Sequence, residues 1–412
     1  MERVEDALAN RSIRVLTFTT LYPNAGQPNH GVFVENRLRH LVASGQVQAQ
    51  VIAPVPWFPS RSPIFGRYAN LANVPKLEIR NGIAVAHPRY LVIPKFGMSV
   101  SPATLYASTL AHMQRYISKS DFDLIDAHYF YPDGVAAILL GRKLGKPVTI
   151  TARGTDVNLI PRYAIPRRLI RLAARRAAGI IAVSEALKTA LVTLGVPDSR
   201  VLVLRNGVDL NAFTPSDREA ARAKIAVTGN VLLSAGHLIE RKGHDLTISA
   251  LPRLPRFTLL LVGDGPEKSR LQTLATRMGV ADRVRFLGAV PHESMREYYS
   301  AADALVLASS REGWPNVLLE SMACGTPVVA SPIWGNPEVV KEPAAGVLMP
   351  ARTPEGVAAA VATLFRHLPA RSETRKYAER FSWHDTSLGQ IRLFQEVLTE
   401  HRRKKAANSS YP

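Results

Sequence analysis

The chain has little that would place it in a membrane or in an oxidising compartment. Cys324 is its only cysteine, and a single thiol excludes an internal disulfide framework and is typical of a reducing compartment. No apolar run approaches the ~18 residues that a membrane-spanning helix needs. The acidic start, MERVEDALANRSIRVLTF, lacks the apolar core of a signal peptide. We therefore expect a cytoplasmic protein, and the length of 412 residues predicts two folded domains.

Acidic residues are also few, with 33 Asp and Glu against 52 Lys and Arg, which gives a net charge of +19. Residues 1–209 hold 26 basic and 13 acidic residues, a net +13, so an anionic partner is expected to face the first half. The sequence pI of about 10.3 leaves a nucleic-acid-binding protein as an alternative. That alternative is the weaker one, because the basic residues are not interleaved with aromatic ones and no nucleic-acid-binding module is recognisable.

The densest positive charge lies in residues 142–176, where ten basic residues stand against one acid, Asp156. The segment PRRLIRLAARRAAG, residues 166–179, has the pattern of a helix. Three of its arginines share one face: Arg168, Arg171 and Arg175. This face is either an ordinary solvated surface or a surface that docks on anionic lipid, where each basic residue contributes ~1 kcal/mol.

Short runs rich in Val, Ile and Leu recur along the chain and alternate with stretches of helical pattern. In the first half the runs are 13–20, 47–55, 124–130, 147–154, 179–184 and 200–209. In the second half they are 231–236, 257–265, 284–290, 304–310, 326–331 and 346–350. The runs are apolar almost throughout, which is typical of parallel strands buried on both faces. The segment 57–100, rich in Pro and aromatic residues, interrupts the alternation and predicts an irregular excursion with a strand pair.

This alternation predicts an α/β fold with two Rossmann-like, doubly wound parallel sheets. The expected domains are 1–209 and 210–380, joined through the polar, turn-rich segment 206–217. Residues 381–412 are expected to form a helix that packs back on the first domain, followed by a disordered basic tail from 401. Two such domains facing each other leave a cleft, and ligands of these sheets bind beyond the carboxyl ends of the strands.

Two carboxylates, Glu312 and Glu320, stand at the two ends of the segment EGWPNVLLE. Glu312 follows a predicted strand, and Pro315 suits the first turn of the helix that comes next. Glu320 lies in the second turn, and helical side chains lean toward the helix amino terminus. Both carboxylates are therefore expected to reach one ligand, and carboxylates form strong hydrogen bonds with vicinal sugar hydroxyls.

Polar residues follow other predicted strands as well. The loop after 231–236 contains His237, Lys242 and Gly243, and it fits either a phosphate site or a solvated turn. Gly26 and Gly31 follow the first strand, without a complete dinucleotide-binding pattern.

Four further features of the sequence contain candidate functional residues. His128 ends a strand, and a lone histidine of this kind is more often structural than functional. Arg153 and Asp156 end the next strand. Asp121 and Asp123 form a D-x-D, but they precede their strand and so lie at the wrong end of the sheet for a metal site. Cys324 is expected to pack rather than react.

Taken together, these residues resemble the retaining GT-B glycosyltransferases of family 4 over nearly the whole chain. The most specific element is E-x7-E from Glu312 to Glu320, followed by MACGTPVVAS. The segments LIERKG, LVGDGPE, FLG, DAHYFYPDG, NGVD and FSWHD add to it. The segments TLYPNAGQPNHGVFVE, YPDG and TARGTD are most similar to members of bacterial envelope polysaccharide pathways, including the teichuronic-acid type.

The resemblance implies a nucleoside diphosphate sugar as the donor. Glu320 would bind the ribose hydroxyls, Glu312 the hydroxyls of the transferred sugar, and Lys242 with His237 the diphosphate. The donor-binding candidates are Gly31, Gly236, His237, Lys242, Glu312, Gly313, Trp314 and Glu320.

The resemblance also implies catalytic roles for His128, Glu312 and Lys242, and acceptor-side positions for Arg153 and Asp156. His128 would contact the donor sugar near the reacting carbon. No cofactor and no metal ion are expected.

Three positions depart from the family pattern. His237 stands where an arginine is usual, which weakens the charge available to a diphosphate. Arg153 stands where a histidine is common. Pro315 replaces the second glycine of E-G-F-G and removes one backbone donor.

The expected function is transfer of a hexose, with retention of configuration, to a glycan or lipid-linked acceptor in bacterial surface polysaccharide biosynthesis. The enzyme would work as a peripheral protein at the inner face of the plasma membrane. A nucleotide-sugar epimerase or a glycan phosphorylase of the same architecture is the main alternative.

Overall fold

The computed structural model describes residues 12–62, 64, 67–92, 97–118 and 121–409. The chain divides into two compact units, one within residues 1–205 and 384–412 and the other within 206–383. None of the helices in the described part of the chain is long and apolar enough to cross a membrane.

The described residues of the first unit form ten strands. They are β1 Ile13–Phe18, β2 Val47–Ile52, β3 Val55–Pro56, β4 Leu77–Arg80, β5 Ile83–Ala86, β6 Arg89–Tyr90, β7 Leu124–His128, β8 Val148–Ala152, β9 Gly179–Ala182 and β10 Val201–Val203. Its first seven helices are α1 Val32–Ala43, α2 Arg67–Asn73, α3 Gly97–Tyr116, α4 Val135–Leu144, α5 Thr155–Asn158, α6 Ala164–Arg176 and α7 Glu185–Thr193.

Eight of these strands form one sheet in the order β10-β9-β8-β7-β1-β2-β5-β4, and β3 pairs with β6 separately. All pairs in the large sheet are parallel except β4 with β5, in which Leu77 faces Ala86. This antiparallel pair confirms the strand pair expected within 57–100; residues 63, 65–66 and 93–96 of that segment lie outside the described residues. The apolar strands lie between helices, as sequences buried on both faces require.

The second unit contains six strands and eight helices. The strands are β11 Asn230–Ala235, β12 Phe257–Val262, β13 Val284–Gly288, β14 Ala304–Leu307, β15 Val328–Ala330 and β16 Gly346–Leu348. The helices are α8 Arg218–Ile225, α9 His244–Ala250, α10 Lys268–Arg277, α11 Met295–Ala301, α12 Asn316–Ala323, α13 Asn336–Val339, α14 Pro354–Arg366 and α15 Arg371–Ala378.

The sheet of the second unit runs β13-β12-β11-β14-β15-β16 and all its pairs are parallel. Counted from the start of the unit, this is the strand order 3-2-1-4-5-6 of the Rossmann fold. The first sheet has the same centre, with β1 between β2 and β7. The prediction of two doubly wound, Rossmann-like α/β sheets is therefore confirmed.

The last helix, α16 Trp383–Ser409, is long and packs on the first unit. Its Ile391, Phe394 and Leu398 belong to the same buried cluster as Val15 and Leu124 of the sheet. The expectation of a disordered tail from residue 401 is wrong as far as residue 409, where the described chain ends. Glu400 forms ion pairs with Arg403 (2.8 Å) and Lys404 (3.2 Å), one turn further along, and such pairs stabilise an exposed helix end.

Candidate active site

The strand order reverses next to β11 in the second sheet, and this is where α/β sheets bind ligands. β11 pairs with β14, with Leu232 opposite Ala304. The loops that leave the carboxyl ends of these two strands therefore start side by side. The first of them carries Gly236, His237 and Lys242, and the second carries Glu312.

An ion pair joins these two loops. Nζ of Lys242 donates to Oε1 of Glu312 at 2.8 Å, and Nη1 of Arg241 lies 3.5 Å from Oε2 of the same carboxylate. The side chains of Lys242 and Glu312 are only 14% and 10% exposed. Burial by itself raises the pKa of Glu312, but Lys242 and Arg241 outweigh it and the net pKa is lowered. The site thus holds an ionised carboxylate and two cations at the sheet's switch point.

The loop after β11 lies close to the Lys242 side chain. Gly236 has φ +138°, and a Cβ there would lie 3.5 Å from Cε of Lys242. A larger residue at 236 would be strained by this backbone conformation. His237 follows and is exposed, and Glu240–Lys242 form a single turn of 3-10 helix. The arrangement leaves an exposed imidazole beside a nearly buried ammonium group.

Glu320 lies in α12 and is almost fully buried. Its Oε1 accepts a hydrogen bond from Nε2 of His292 at 3.0 Å, and its Oε2 accepts one from the Tyr299 hydroxyl at 2.8 Å. Burial lowers the pKa of His292, but the neighbouring Glu320 carboxylate outweighs it and the net pKa is raised. Both carboxylate oxygens are therefore aimed by fixed donors, and each keeps a lone pair for a further hydroxyl donor.

The residues between the two glutamates are mostly buried. Gly313, Trp314 and Pro315 are all buried, and α12 starts directly after Pro315. The Trp314 ring lies 6.2 Å from the ring of Phe381. The structure therefore gives Trp314 a packing environment, and its donor-binding role remains a prediction.

In the first unit the corresponding switch point lies between β1 and β7. Gly31 precedes α1 with φ +74°, and a Cβ there would lie 2.3 Å from the carbonyl carbon of Leu21. Asp133 ties the loop after β1 to the loop after β7, because its carboxylate accepts from the backbone N–H of Thr20 at 2.8 Å and from the Thr20 hydroxyl at 3.0 Å. Burial raises the pKa of Asp133 to about 7. Because the backbone of Gly31 lies so close to Leu21, any larger residue at 31 would force the loop after β1 to move.

His128 lies at the end of β7 and both of its ring nitrogens are engaged within the protein. Nη2 of Arg153 lies 2.6 Å from Nδ1 of His128. A guanidinium has only donors, so Nδ1 accepts and the ring proton is on Nε2. That nitrogen lies 3.3 Å from Oδ2 of Asp126. Burial, followed by the charge of Arg153, lowers the pKa of His128 to about 4. His128 is thus a neutral ring in a fixed orientation.

The orientation of Asp126 depends on the last helix. Nε2 of Gln390 donates to Oδ2 of Asp126 at 2.9 Å, and Oε1 of Gln390 accepts from Nε of Arg37 at 2.7 Å. The Thr149 hydroxyl donates to Oδ1 of Asp126 at 2.7 Å. Burial raises the pKa of Asp126, but His128 and these donors outweigh it and the net pKa is lowered. A buried hydrogen-bond network therefore connects α16 to His128.

Asp156 is fully buried and accepts backbone N–H groups from Phe130, Arg153 and Gly154, at 2.7, 3.1 and 2.7 Å. It holds together the loops that follow β7 and β8. Its neighbour Arg153 is directed toward His128 rather than toward solvent. The acceptor-side roles implied for both residues remain predictions.

The weaker candidates have structural partners. Asp123 accepts from the backbone and from the guanidinium of Arg14, both at 2.9 Å. Cys324 is buried, and burial raises the pKa of its thiol to about 12. In the part of the chain that the structure describes, no three His, Cys, Asp or Glu residues are grouped so as to hold a metal ion.

The comparisons with known proteins agree with this geometry. Residues 30–212 match the family described as Glycosyltransferase Family 4, and residues 216–381 match Glycosyl transferases group 1. A Bacillus subtilis (strain 168) protein named as a teichuronic acid biosynthesis glycosyltransferase, TuaC, is 30% identical over 334 residues, which cover 78% of this chain and 82% of TuaC. The chain belongs to the family 4, group 1 glycosyltransferases.

A second relative and a solved structure can be compared with this glycosyltransferase. A D-inositol 3-phosphate glycosyltransferase of Geodermatophilus obscurus is 31% identical over 350 residues, which cover 78% of each chain. The crystal structure of Anabaena HepE in complex with UDP-glucose superposes with a TM-score of 0.70 at 23% identity, covering 93% of this chain and 99% of HepE. The latter likeness shows that the glycosyltransferase shares the fold of HepE.

Four site neighbours of the glycosyltransferase were not predicted from its sequence: Arg241, His292, Tyr299 and Gln390. Arg241 is adjacent to Lys242, so the predicted phosphate loop was a signal for it. His292 follows β13 in the loop VPHES, at the carboxyl edge of the sheet where ligands bind. Tyr299 and Gln390 lie within helices and carry no sequence signal for a site.

The glycosyltransferase should lose stability in mild acid because of His244. This residue is buried beside the Lys242 loop, and Ser234 lies 2.9 Å from its Nδ1. Burial lowers the pKa of His244 to about 4, from an ordinary 6.5. Between these values the unfolded chain binds a proton that the folded chain does not, so stability falls as pH falls through this window, by up to about 1.4 kcal/mol per pH unit.

Denaturant titrations at pH 7, 6 and 5 test this expectation. Tryptophan fluorescence suits them, because Trp314, Trp334 and Trp383, three of the four tryptophans, lie in the second unit. His244→Asn should show a smaller fall in the free energy of unfolding between pH 7 and pH 5 than the wild type. Equal slopes for the two proteins would contradict the assignment.

Proposed function

We propose that this glycosyltransferase moves a hexose from a nucleoside diphosphate sugar to a glycan or lipid-linked acceptor of a bacterial surface polysaccharide, with retention of configuration. The observation that carries the donor assignment is the Lys242–Glu312 ion pair at the switch point of the second sheet, with Glu320 on the helix that follows. The UDP-glucose bound by HepE, which has the same fold, supports a donor of this class.

The donor roles follow from charge. The Lys242 ammonium is paired with Glu312, and a diphosphate would offer it a second, more highly charged partner. Gly236 and His237 lie on the same loop and would contact the diphosphate with it. Glu312 would then accept hydroxyls of the hexose beside the Gly313 backbone, and Glu320, oriented by His292 and Tyr299, would accept those of the ribose.

In the proposed reaction the acceptor oxygen attacks the anomeric carbon on the face from which the diphosphate leaves. The bond from the anomeric carbon to the phosphate oxygen breaks, the acceptor hydroxyl gives its proton to the departing phosphate, and the new glycosidic bond keeps the configuration. Lys242 and Arg241 stabilise the charge that develops on the leaving group. His128, held neutral, serves as a fixed contact for the sugar and not as a proton carrier.

The anomeric configuration of the product tests retention. Proton NMR of a product made from an α-linked donor should show an α-linked sugar, and a β-linked product would contradict the proposal. The reaction is run with two acceptors, a lipid-linked glycan and inositol 3-phosphate. These acceptors distinguish the activities for which the relatives are named. Transfer to inositol 3-phosphate alone would contradict the polysaccharide role.

We further propose that the reaction needs no metal ion. Lys242 and Arg241 supply two positive charges beside Glu312, which supports neutralisation of a diphosphate by the protein itself, and Asp123 is engaged with Arg14. The rate of sugar transfer should therefore be unchanged in EDTA, and the Asp123→Asn variant should likewise need no added metal ion. Loss of activity in chelator that magnesium or manganese restores would overturn this part of the proposal.

We also propose that α6 docks the enzyme on the inner face of the plasma membrane, close to a lipid-linked acceptor. Arg168 and Arg171 are exposed, and so are Ile165 (52%) and Leu172 (41%), two apolar side chains on the same helix. Basic residues with adjacent apolar side chains are typical of helices that bind anionic membrane surfaces.

Binding to vesicles tests this docking. The enzyme should bind phosphatidylglycerol vesicles reversibly with salt and bind phosphatidylcholine vesicles little. The double variant Arg168→Glu/Arg171→Glu should bind at least roughly thirtyfold more weakly, because each basic residue contributes about 1 kcal/mol. Arg256→Glu/Arg277→Glu makes the same charge change on exposed arginines of the second unit, and it is the control. Equal binding by both variants would show that α6 is not the docking surface.

A further inference from the structure

The first unit has a large basic recess at the edge of its sheet opposite the candidate site. The recess has a volume of about 870 Å³. Its wall includes Lys146, Pro147 and Val148 at the start of β8, Ala178 just before β9, and Arg200 just before β10. Arg153 follows the other end of β8, and His128 lies at the corresponding end of the neighbouring parallel strand β7. A five-residue strand spans roughly 16 Å, so the recess is separate from the residues assigned to sugar transfer.

The recess is lined by cations from four separate parts of the fold. The basic side chains in its wall are Arg142, Lys146, Arg175, Arg176, Arg200 and Lys404, and Glu400 is the only acid. Glu400 is already paired with Lys404 and Arg403. Several other arginines of the chain, such as Arg14 and Arg80, are neutralised by carboxylates. Within the described residues, Arg142, Arg175 and Arg176 have no carboxylate partner.

Helix dipoles explain only part of this arrangement. Arg142 lies in the last turn of α4, and Arg175 and Arg176 lie in the last turn of α6, where positive charge is favourable. Arg200 donates to the carbonyl oxygens of Arg175 (3.3 Å) and Ala177 (2.6 Å), and so caps α6 directly. The dipole effect does not require these cations to surround one concavity, nor does it explain Lys404 on α16.

The lining indicates what kind of anion would fit. A volume of about 870 Å³ is within the range of small-molecule sites. Guanidinium groups bind phosphate oxygens in pairs, and unpaired arginines around a concavity suit a ligand with more than one phosphate. No Phe, Tyr or Trp lines the recess, and His401 is the one aromatic ring in its wall, so the lining favours phosphate groups over a nucleobase. The exposed apolar side chains that a membrane surface requires, such as Ile165 and Leu172, are also absent from its wall.

We propose that this recess is a second anion site, which binds a soluble ligand carrying two or more phosphate groups independently of the sugar donor. A ligand there contacts α4, α6 and α16 at once. It would therefore hold the last helix against the first unit, and through Gln390 of that helix it would stabilise the network around Asp126.

Calorimetric titration with inorganic pyrophosphate at low salt tests the proposal. Pyrophosphate also resembles the leaving group, so four proteins are compared: wild type, Lys242→Ala, Arg142→Glu/Arg176→Glu, and the charge-matched control Arg256→Glu/Arg277→Glu. Wild type and the control should each bind pyrophosphate in the recess. Lys242→Ala should keep this binding within about twofold in affinity, and Arg142→Glu/Arg176→Glu should weaken it at least tenfold. If Lys242 did not contact the diphosphate, Arg142→Glu/Arg176→Glu should still bind pyrophosphate at least tenfold more weakly in the recess. The recess and the donor site are therefore tested separately.

Three outcomes would overturn the second site. The recess variant could bind pyrophosphate as wild type does, or the control variant could lose binding equally, which would indicate a general charge effect. The third outcome uses phosphatidylglycerol vesicles: if Arg142→Glu/Arg176→Glu lost vesicle binding but kept pyrophosphate binding, the recess would be a lipid headgroup site. The expected result is that vesicle binding survives in this variant.

Discussion

Replacing Lys242 by alanine should lower kcat/KM for sugar transfer by roughly 30- to 150-fold. The loss of one charge-assisted contact to the leaving diphosphate is worth about 2–3 kcal/mol, and every 1.4 kcal/mol is a factor of ten in rate. The same change removes the nearer of the two cations that neutralise the buried carboxylate of Glu312 and leaves Arg241, 3.5 Å away. The effect should therefore appear in kcat as well as in KM, because the charge on the leaving group grows in the transition state.

Lys341→Ala is the matched control for this variant. Lys341 is an exposed lysine of the same unit, between α13 and β16, and should tolerate the change with wild-type kinetics. Circular dichroism and thermal unfolding should show that both variants are folded. If a folded Lys242→Ala protein had wild-type kcat/KM, Lys242 would not contact the leaving group.

Replacing Glu320 by alanine should weaken the binding of the donor nucleotide by a similar factor, roughly 30- to 150-fold in Kd. The Glu320 carboxylate is aimed by His292 and Tyr299 and is the group expected to hold the ribose hydroxyls. A carboxylate that accepts from two vicinal hydroxyls contributes about 2–3 kcal/mol through its charged hydrogen bonds. The effect belongs mainly to binding, because the ribose is remote from the bond that breaks.

Two companion variants separate the contact from the packing around it. Tyr299→Phe removes one donor to Glu320 but leaves the carboxylate, and it should weaken nucleotide binding by less than tenfold. Glu320→Gln keeps the shape and removes the charge, and it should fall between Tyr299→Phe and Glu320→Ala. A folded Glu320→Ala variant that binds the nucleotide as tightly as wild type would refute the ribose assignment.

The sequence predicted well those features that depend on local pattern. The strands β1, β7, β11 and β14 begin and end within a few residues of the apolar runs that predict them, because a strand buried on both faces must be apolar along its length. The contact between Lys242 and Glu312 could also be predicted, from the alignment of parallel strands. Parallel strands end at one edge, so polar residues that follow neighbouring strands come together there.

Contacts between residues that are far apart in the sequence could not be predicted in this way. His292 and Glu320 are 28 positions apart and Gln390 and Asp126 are 264 positions apart, with no motif linking them. The neutral state of His128 depends on its burial and then on the charge of Arg153, and only the fold shows that the ring is buried and that this arginine points toward it. The helical tail was missed because a polar, charged sequence is typical of disorder unless its ion pairs and its packing on the sheet are known.

Nucleotide release from a panel of nucleoside diphosphate sugars, with and without acceptors, tests the central claim most directly. The panel should include UDP-, GDP- and ADP-linked hexoses at concentrations below the Kd of the donor, with Glu320→Ala as the variant of the donor site. We expect that one nucleotide sugar is turned over, that nucleotide release depends on an acceptor, and that Glu320→Ala reduces this release at least roughly thirtyfold. Isomerisation of the sugar without an acceptor would favour an epimerase, and a requirement for phosphate would favour a phosphorylase. Release that is equal in wild type and Glu320→Ala would contradict the donor site proposed for the second unit.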